Sequence, residues 1–168
     1  FIQKKFNDGS VKSERGNVGD AVLYGVESLL DINLKELLTL VNENFNINYF
    51  VNFSLIDSEY TSSITPGITG KKVEFVPKVN LKTGLKVGYK NYSLNLQYSY
   101  LSDQFSDSTN ALSGNLSGVI GLIPAYNVLD LSSSVSRGRF RFELGVNNVS
   151  NEIYFKASKH LLLVIFTV

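Results

Sequence analysis

Polar and apolar side chains alternate strictly along residues 81–100. In the first half, Leu85, Val87 and Tyr89 share one face, while Lys86 and Gly88 lie on the other. The alternation restarts after a two-residue break and continues to the end of the stretch. Because successive side chains of a strand point to opposite faces, the pattern predicts a β-hairpin with one apolar and one polar face. The apolar face requires either a protein core or lipid as its neighbour.

Other segments of the chain carry similar strand signals. Residues 44–60 alternate for most of their length, with Phe50 as the exception. Residues 1–20 are polar and predict a loop with one strand at its start, whereas residues 159–168 form an apolar run without alternation. The remaining predicted strands are residues 21–33, 125–136 and 140–148. The sequence therefore predicts an all-β protein.

One short helical signal interrupts the strands, at residues 33–41. Leu34, Leu37 and Leu38 follow the spacing of one helix face, and Asn33 with Glu36 matches a capping box. A segment this short is marginal as an isolated helix, so it predicts a brief turn helix or a continued strand.

The connections between the predicted strands alternate between tight turns and long loops. The long loops are residues 57–77 and 103–124. The tight turns are Lys90-Asn91 and Arg137-Gly138. In an antiparallel meander this places the tight turns at one end of the sheet and the long loops at the other. Strands of about ten residues with this asymmetry are typical of an outer-membrane β-barrel, whereas a soluble antiparallel β-sheet binding or adhesion module is the alternative.

Composition and charge exclude several classes of function. The 168 residues carry a net charge of only +1, which predicts no nucleic-acid partner, and they contain no cysteine. The single histidine, His160, has no cluster of acidic residues or cysteines beside it, so neither a metal site nor a catalytic triad is predicted. Four acidic residues flank the loops and predict solvated charge rather than a cation site: Asp57, Glu59, Asp103 and Asp107. An enzyme and a bound cofactor are therefore not expected.

Five motifs, in order along the chain, resemble segments of the TonB-dependent outer-membrane receptors. They are GNVGDA…YGVE at 16–27, VPK at 76–78, YSY…QFSD at 98–107, IPAYNVLDL at 123–131 and GVNNVSNEIYF at 145–155. Each motif alone is short, whereas their ordered succession over residues 15–156 is specific. The branch that the chain most resembles is that of the ferric dicitrate and siderophore receptors.

This resemblance implies a cell outer-membrane location in a Gram-negative bacterium and TonB-dependent uptake of a ferric chelate. It implies an up-and-down transmembrane β-barrel of about 22 strands, closed around a plug. Residues 1–168 would supply about the last six or seven strands, without a counterpart of the plug or of the segment that binds TonB. Residues 157–168 depart from the family pattern because they neither alternate nor end in an aromatic residue. We therefore expect a fragment that does not transport by itself.

Ligand recognition in such a receptor would use the polar strand faces and the long loops. Side chains there that suit an anionic chelate are Arg15, Lys71, Lys72 and Gln104. The resemblance carries over no binding residue, because those residues differ with each ligand. The expected partners are outer-membrane lipid, the ferric chelate and, through a part of the receptor without a counterpart here, TonB.

Overall fold

The computed structural model describes six stretches of the chain: residues 2–5, 11–14, 19–39, 43–114, 120–154 and 161–167. Within them it contains one short helix, α1 (Leu34–Leu37), and eleven strands. The strands are β1 (Ile2–Lys5), β2 (Val11–Glu14), β3 (Gly19–Asn33), β4 (Phe45–Ser63), β5 (Val79–Tyr89), β6 (Tyr92–Leu101), β7 (Gln104–Phe105), β8 (Leu122–Ile123), β9 (Tyr126–Arg137), β10 (Phe140–Val146) and β11 (Leu161–Thr167). The all-β prediction is confirmed.

The principal sheet has seven strands in the order β11-β10-β9-β6-β5-β4-β3. The pairs from β4 to β11 are antiparallel. The strands of this sheet lie side by side in chain order, with β7 and β8 set apart in the connection between β6 and β9. The sheet is an up-and-down meander that does not close on itself. The predicted number of strands and their up-and-down order are confirmed.

Two smaller sheets accompany the meander. Strands β1 and β2 pair antiparallel, so the polar N-terminal region holds two strands where the sequence predicts a loop with one. Strands β7 and β8 pair with each other at the two ends of the loop predicted at 103–124. That loop lacks long alternating runs, so its two-residue strands give no periodic signal.

The tight turns agree with the predictions to within one residue. Tyr89 pairs with Tyr92, so Lys90-Asn91 forms the turn between β5 and β6 as predicted. Arg137 pairs with Phe140, so the second turn is Gly138-Arg139, and the prediction of Arg137-Gly138 is wrong by one position. Gly138 adopts φ 60°, a left-handed conformation that glycine tolerates without cost, which fixes the turn there.

The helix α1 connects β3 to β4 and has the predicted cap. The Asn33 side chain accepts a hydrogen bond from the Lys35 amide at 3.2 Å and donates one to the Glu36 carboxylate at 2.8 Å. These contacts satisfy an amide at the helix N-terminus that has no partner within the helix. The segment is therefore a brief turn helix, and no described helix has the length and apolar character needed to cross a membrane.

Alternation along the strands gives the meander two chemically distinct faces. Directly paired residues share a face, and the pairs Leu85–Leu96 and Val87–Leu94 are apolar, whereas Lys86 pairs with Asn95. We call these two sides the apolar face and the polar face. The large side chains on the apolar face are conspicuously exposed, with Leu94 at 46%, Leu144 at 45% and Phe140 at 41% of full exposure. Few apolar residues in the described parts are buried, so the sheet does not enclose a protein core.

Contacts divide the chain into two compact units. The first, the loop unit, comprises residues 1–24, 57–76 and 105–122. The second, the wall unit, comprises residues 25–56, 77–104 and 123–168, and it contains both tight turns.

Candidate functional site

An ion pair with a tyrosine beside it lies in the loop unit. The Lys72 ammonium is 2.6 Å from Asp57 Oδ1, and the Tyr24 hydroxyl donates to Asp57 Oδ2 at 3.2 Å. The Lys72 hydrogen bond lowers the pKa of Asp57, and the same bond raises the pKa of Lys72. Both groups are substantially exposed, so the pair contributes little stability and instead holds the lysine in a defined position.

A two-point contact joins the two long loops of this unit. The Asn110 side chain accepts from the Lys72 amide at 2.7 Å and donates to the Lys72 carbonyl at 2.9 Å. Asn110 adopts φ 53°, a left-handed conformation that asparagine tolerates better than most residues. We call this contact the asparagine clamp. It fixes the backbone on both sides of Lys72.

Asp107 organises the turn that presents Asn110. Its carboxylate accepts from the amides of Thr109 at 2.9 Å and Gly121 at 3.2 Å, and from the Thr109 hydroxyl. Burial acts to raise the pKa of Asp107, but these hydrogen bonds to Thr109 and Gly121 outweigh it and lower that pKa. The carboxylate therefore serves the loop conformation.

The loop that follows β4 folds back along the end of that strand. Tyr60 exchanges backbone hydrogen bonds with Lys71 and Gly70, and its hydroxyl donates to the Glu74 carboxylate at 2.7 Å. Burial, together with the negative charge on Glu74, raises the pKa of Tyr60 to about 12. The phenol remains protonated at neutral pH and ties the loop to the strand.

The polar face of the wall unit carries a second group of side chains. A depression of about 440 Å³ is lined by charged and neutral hydrogen-bonding groups, among them Lys86, Asn95, Ser132, Arg141, Glu143 and Asn147. The Arg141 guanidinium lies 2.6 Å from Glu143 Oε1, and the hydroxyls of Ser93 and Ser134 are 2.7 Å apart. Lys86 and Arg141 also line an adjoining depression of about 390 Å³. These groups offer a hydrated ligand several charged and neutral contacts.

The four side chains predicted to meet a ligand fall in different places. Lys71 and Lys72 are adjacent in the loop unit, with Lys71 exposed and Lys72 held by Asp57. Gln104 is half-buried in β7 and belongs to the wall unit, and Arg15 lies outside the described residues. His160 also lies outside them. The role of all four as ligand contacts stays a prediction.

The acidic residues do not form a metal centre in the described part of the chain. No group of three or more potential ligands converges there. Asp57 is engaged by Lys72, and Asp107 by its own loop. Sequence reasoning did not identify Asn110 or Tyr24 as partners of the Lys72 segment, since those contacts join residues far apart in the chain.

Two of the motifs singled out in the sequence contact each other in the wall unit. The Asn148 amide donates to Asp130 Oδ1 at 2.8 Å, and the Val149 amide donates to the Leu129 carbonyl at 2.7 Å. Asn148 is 2% exposed, and its side chain donates a hydrogen bond to the Glu152 carbonyl and accepts one from the Glu152 backbone amide. The asparagine therefore shapes the chain after β10, and its conformation, φ 54°, explains why an asparagine suits the position.

Comparisons with known proteins agree with the resemblance of these motifs. The model of the family described as TonB dependent receptor-like, beta-barrel, matches residues 1–149. A search of curated proteins gives no match. Two solved structures share the fold at low sequence identity. The first is the ferric citrate transporter FecA in its unliganded form, with TM-score 0.72, 21% identity and 86% of this chain covered.

The second is the ferric yersiniabactin uptake receptor FyuA from Yersinia pestis, with TM-score 0.61, 17% identity and 89% of this chain covered. The chain spans only 22% of the length of each of these two proteins. The long antiparallel strands, the two-faced sheet and the extent of the family match lead to one conclusion. The chain belongs to the TonB dependent receptor-like β-barrel family.

Proposed function

We propose that this chain forms part of the wall of an outer-membrane receptor that imports a ferric chelate with energy delivered through TonB. The observation that carries the proposal is the two-faced, unclosed meander, whose apolar side chains are exposed along the middle of the strands. Contact between such a face and lipid costs no free energy, whereas contact with water is unfavourable for apolar side chains. The open edges of the sheet leave backbone groups to be paired, which supports a role as a segment of a larger barrel.

The strand lengths support a membrane crossing. Strand β5 has 11 residues and β6 has 10, matching the about 9–11 residues that a tilted strand needs to span a bilayer. Strand β4 pairs with β5 only from Phe45 to Leu55 and then continues to Ser63, beside its own loop. We place the crossing in the paired portion and Asp57, Tyr60 and the loops outside it.

The polar face and the loop unit supply the recognition part of the proposal. FecA and FyuA are named for ferric citrate and ferric yersiniabactin, and both names describe an iron chelate. A chelate with negative charge would find two cations on the polar face of the wall unit, at Lys86 and Arg141. The loop unit, taken by itself, offers the exposed Lys71. These contacts bind and do not catalyse, so the function is that of a receptor and not of an enzyme.

A charge placed on the apolar face tests whether lipid covers it. We expect Leu96→Arg to reduce insertion into neutral phosphatidylcholine vesicles, because an arginine near the bilayer midplane costs about 2–4 kcal/mol. Leu96 lies midway along β6 and is 39% exposed. The measurement is the fraction of refolded chain that floats with the vesicles in a density gradient.

Gln97→Arg is the matched control, because it adds the same charge to the next residue of β6 on the polar face. We expect it to insert nearly as well as the unchanged chain. Equal insertion of the two variants would contradict the proposal. So would a folded, monodisperse Leu96→Arg protein in buffer without detergent, since that is the behaviour of a soluble β-sheet module.

A further inference from the structure

A groove of about 530 Å³ lies on the apolar face of the wall unit, at the end that carries the two tight turns. Its floor is Ser133, which pairs with Leu94 on one side and with Leu144 on the other. Because serine is far shorter than the leucines beside it, the surface sinks between them. The groove is otherwise walled mainly by apolar side chains: Val87, Tyr89, Tyr92, Val135 and Phe142.

Cations gather at the turn end of this groove. Lys90 Nζ lies 5.3 Å from the centroid of the Tyr89 ring, and Arg139 Cζ lies 5.7 Å from that of Phe140. Arg137 is exposed and pairs directly with Phe140, which places it on the apolar face as well. Three positive charges therefore border the apolar face, where a purely hydrocarbon environment would require none.

One of the acidic groups near this end is already matched by a cation. Glu143, which also borders the groove, pairs with Arg141 at 2.6 Å. Glu43 lies in the neighbouring connection, next to Asn44, whose carbonyl accepts from the Lys90 amide. Lys35 reaches the Glu43 carbonyl at 3.2 Å and adds a cation there. Neither tight turn contains an acidic residue, so the cluster of Lys90, Arg137 and Arg139 presents net positive charge.

We propose that the groove and these three cations form a binding site for one anionic glycerophospholipid. An acyl chain lies over Ser133, and the phosphate meets the cations at the turns. This inference rests on the proposed function, because only a chain inserted in a bilayer meets such a lipid. A neutral lipid would fill the groove but would not neutralise the cations. A free phosphate would neutralise the cations but would leave the groove empty. Anionic lipid matches both parts.

Lipid retention measures this site directly. The 168-residue chain is refolded into mixed vesicles of phosphatidylcholine and phosphatidylglycerol and extracted in mild detergent, and the co-purifying lipids are quantified by mass spectrometry. We expect phosphatidylglycerol to be enriched over its share of the vesicle. Arg137→Gln with Arg139→Gln should lower that enrichment by about five-fold per charge, or roughly twenty-five-fold for the pair at low salt.

Lys78→Gln with Lys82→Gln is the matched control, because it removes the same charge away from the tight turns, at the residue before β5 and at the fourth residue of β5. Enrichment should survive in this control. An equal loss in both double variants would mean a general effect of net charge and would overturn the site. Enrichment that inorganic phosphate abolishes would overturn it too, since the cations would then bind a free anion.

Ser133→Leu tests the groove without changing any charge. It fills the floor with a side chain like those of Leu94 and Leu144, so insertion into phosphatidylcholine vesicles should persist while phosphatidylglycerol retention falls. Unchanged retention would contradict the seating of an acyl chain there. Failure of the unchanged chain to insert into any vesicle would overturn the proposed function itself. Insertion without enrichment would overturn only the lipid site.

Discussion

Phe50 interrupts the alternation of β4, and its neighbour on β5 explains why. Phe50 pairs directly with Gly84, so the aromatic ring lies on the polar face over the one buried glycine of that strand. A Cβ atom added to Gly84 would lie 2.4 Å from Phe50 Cε1 and 2.8 Å from the Leu96 carbonyl oxygen. The ring covers backbone that a glycine would otherwise leave open. The two positions therefore depend on each other.

We expect Gly84→Ala to destabilise the inserted sheet by about 1–3 kcal/mol, because the added methyl overlaps a ring and a backbone oxygen. Gly88→Ala is the control on the same strand and face, since its Cβ would meet nothing closer than Asn46 Cβ at 3.6 Å. The measurement is the urea midpoint of each variant in vesicles. Equal midpoints would contradict the role assigned to Phe50.

At the scale of elements, the sequence predicted the strands well and the loop contacts poorly. Period-two alternation is local, so β4, β5, β6 and β10 were predicted to within a few residues. The turn after β9 was predicted one residue too early because an arginine stands on each side of Gly138, and only the pairing of Arg137 with Phe140 shows which arginine belongs to the turn. The asparagine clamp joins residues 38 positions apart, and no local pattern encodes such a bond.

The asparagine clamp should control how easily the first long loop opens. Asn110→Ala removes both bonds to Lys72 and places alanine at a positive φ. We expect the free energy of loop opening to fall by about 1 kcal/mol, so that trypsin cleaves after Lys71 or Lys72 several-fold faster. Asn110→Gly keeps the backbone relaxed and removes only the side chain. If the glycine variant is cut as slowly as the unchanged chain, strain and not the clamp accounts for the effect.

At the scale of the whole molecule, the family and the meander order were predictable from ordered motifs and strand spacing. The candidate ligand contacts on the polar face were not predictable from the sequence, because a ligand-binding surface depends on side chains from separate strands and loops. Lys86 and Arg141 line the same depression although they lie on β5 and β10, which are not adjacent in the sheet. Sequence spacing alone does not bring such residues together.

The two tight turns also set the order in which the sheet assembles. Closing a two-residue turn costs far less chain entropy than closing the loop from β6 to β9, so the hairpins β5–β6 and β9–β10 form before they meet. In pulse-labelling hydrogen exchange during insertion, we expect amides of these hairpins to gain protection before those joining β6 to β9. Simultaneous protection of all three pairings would contradict this order. If the hairpins do form first, the chain enters a membrane as preformed two-stranded units, and each unit already has one apolar and one polar side.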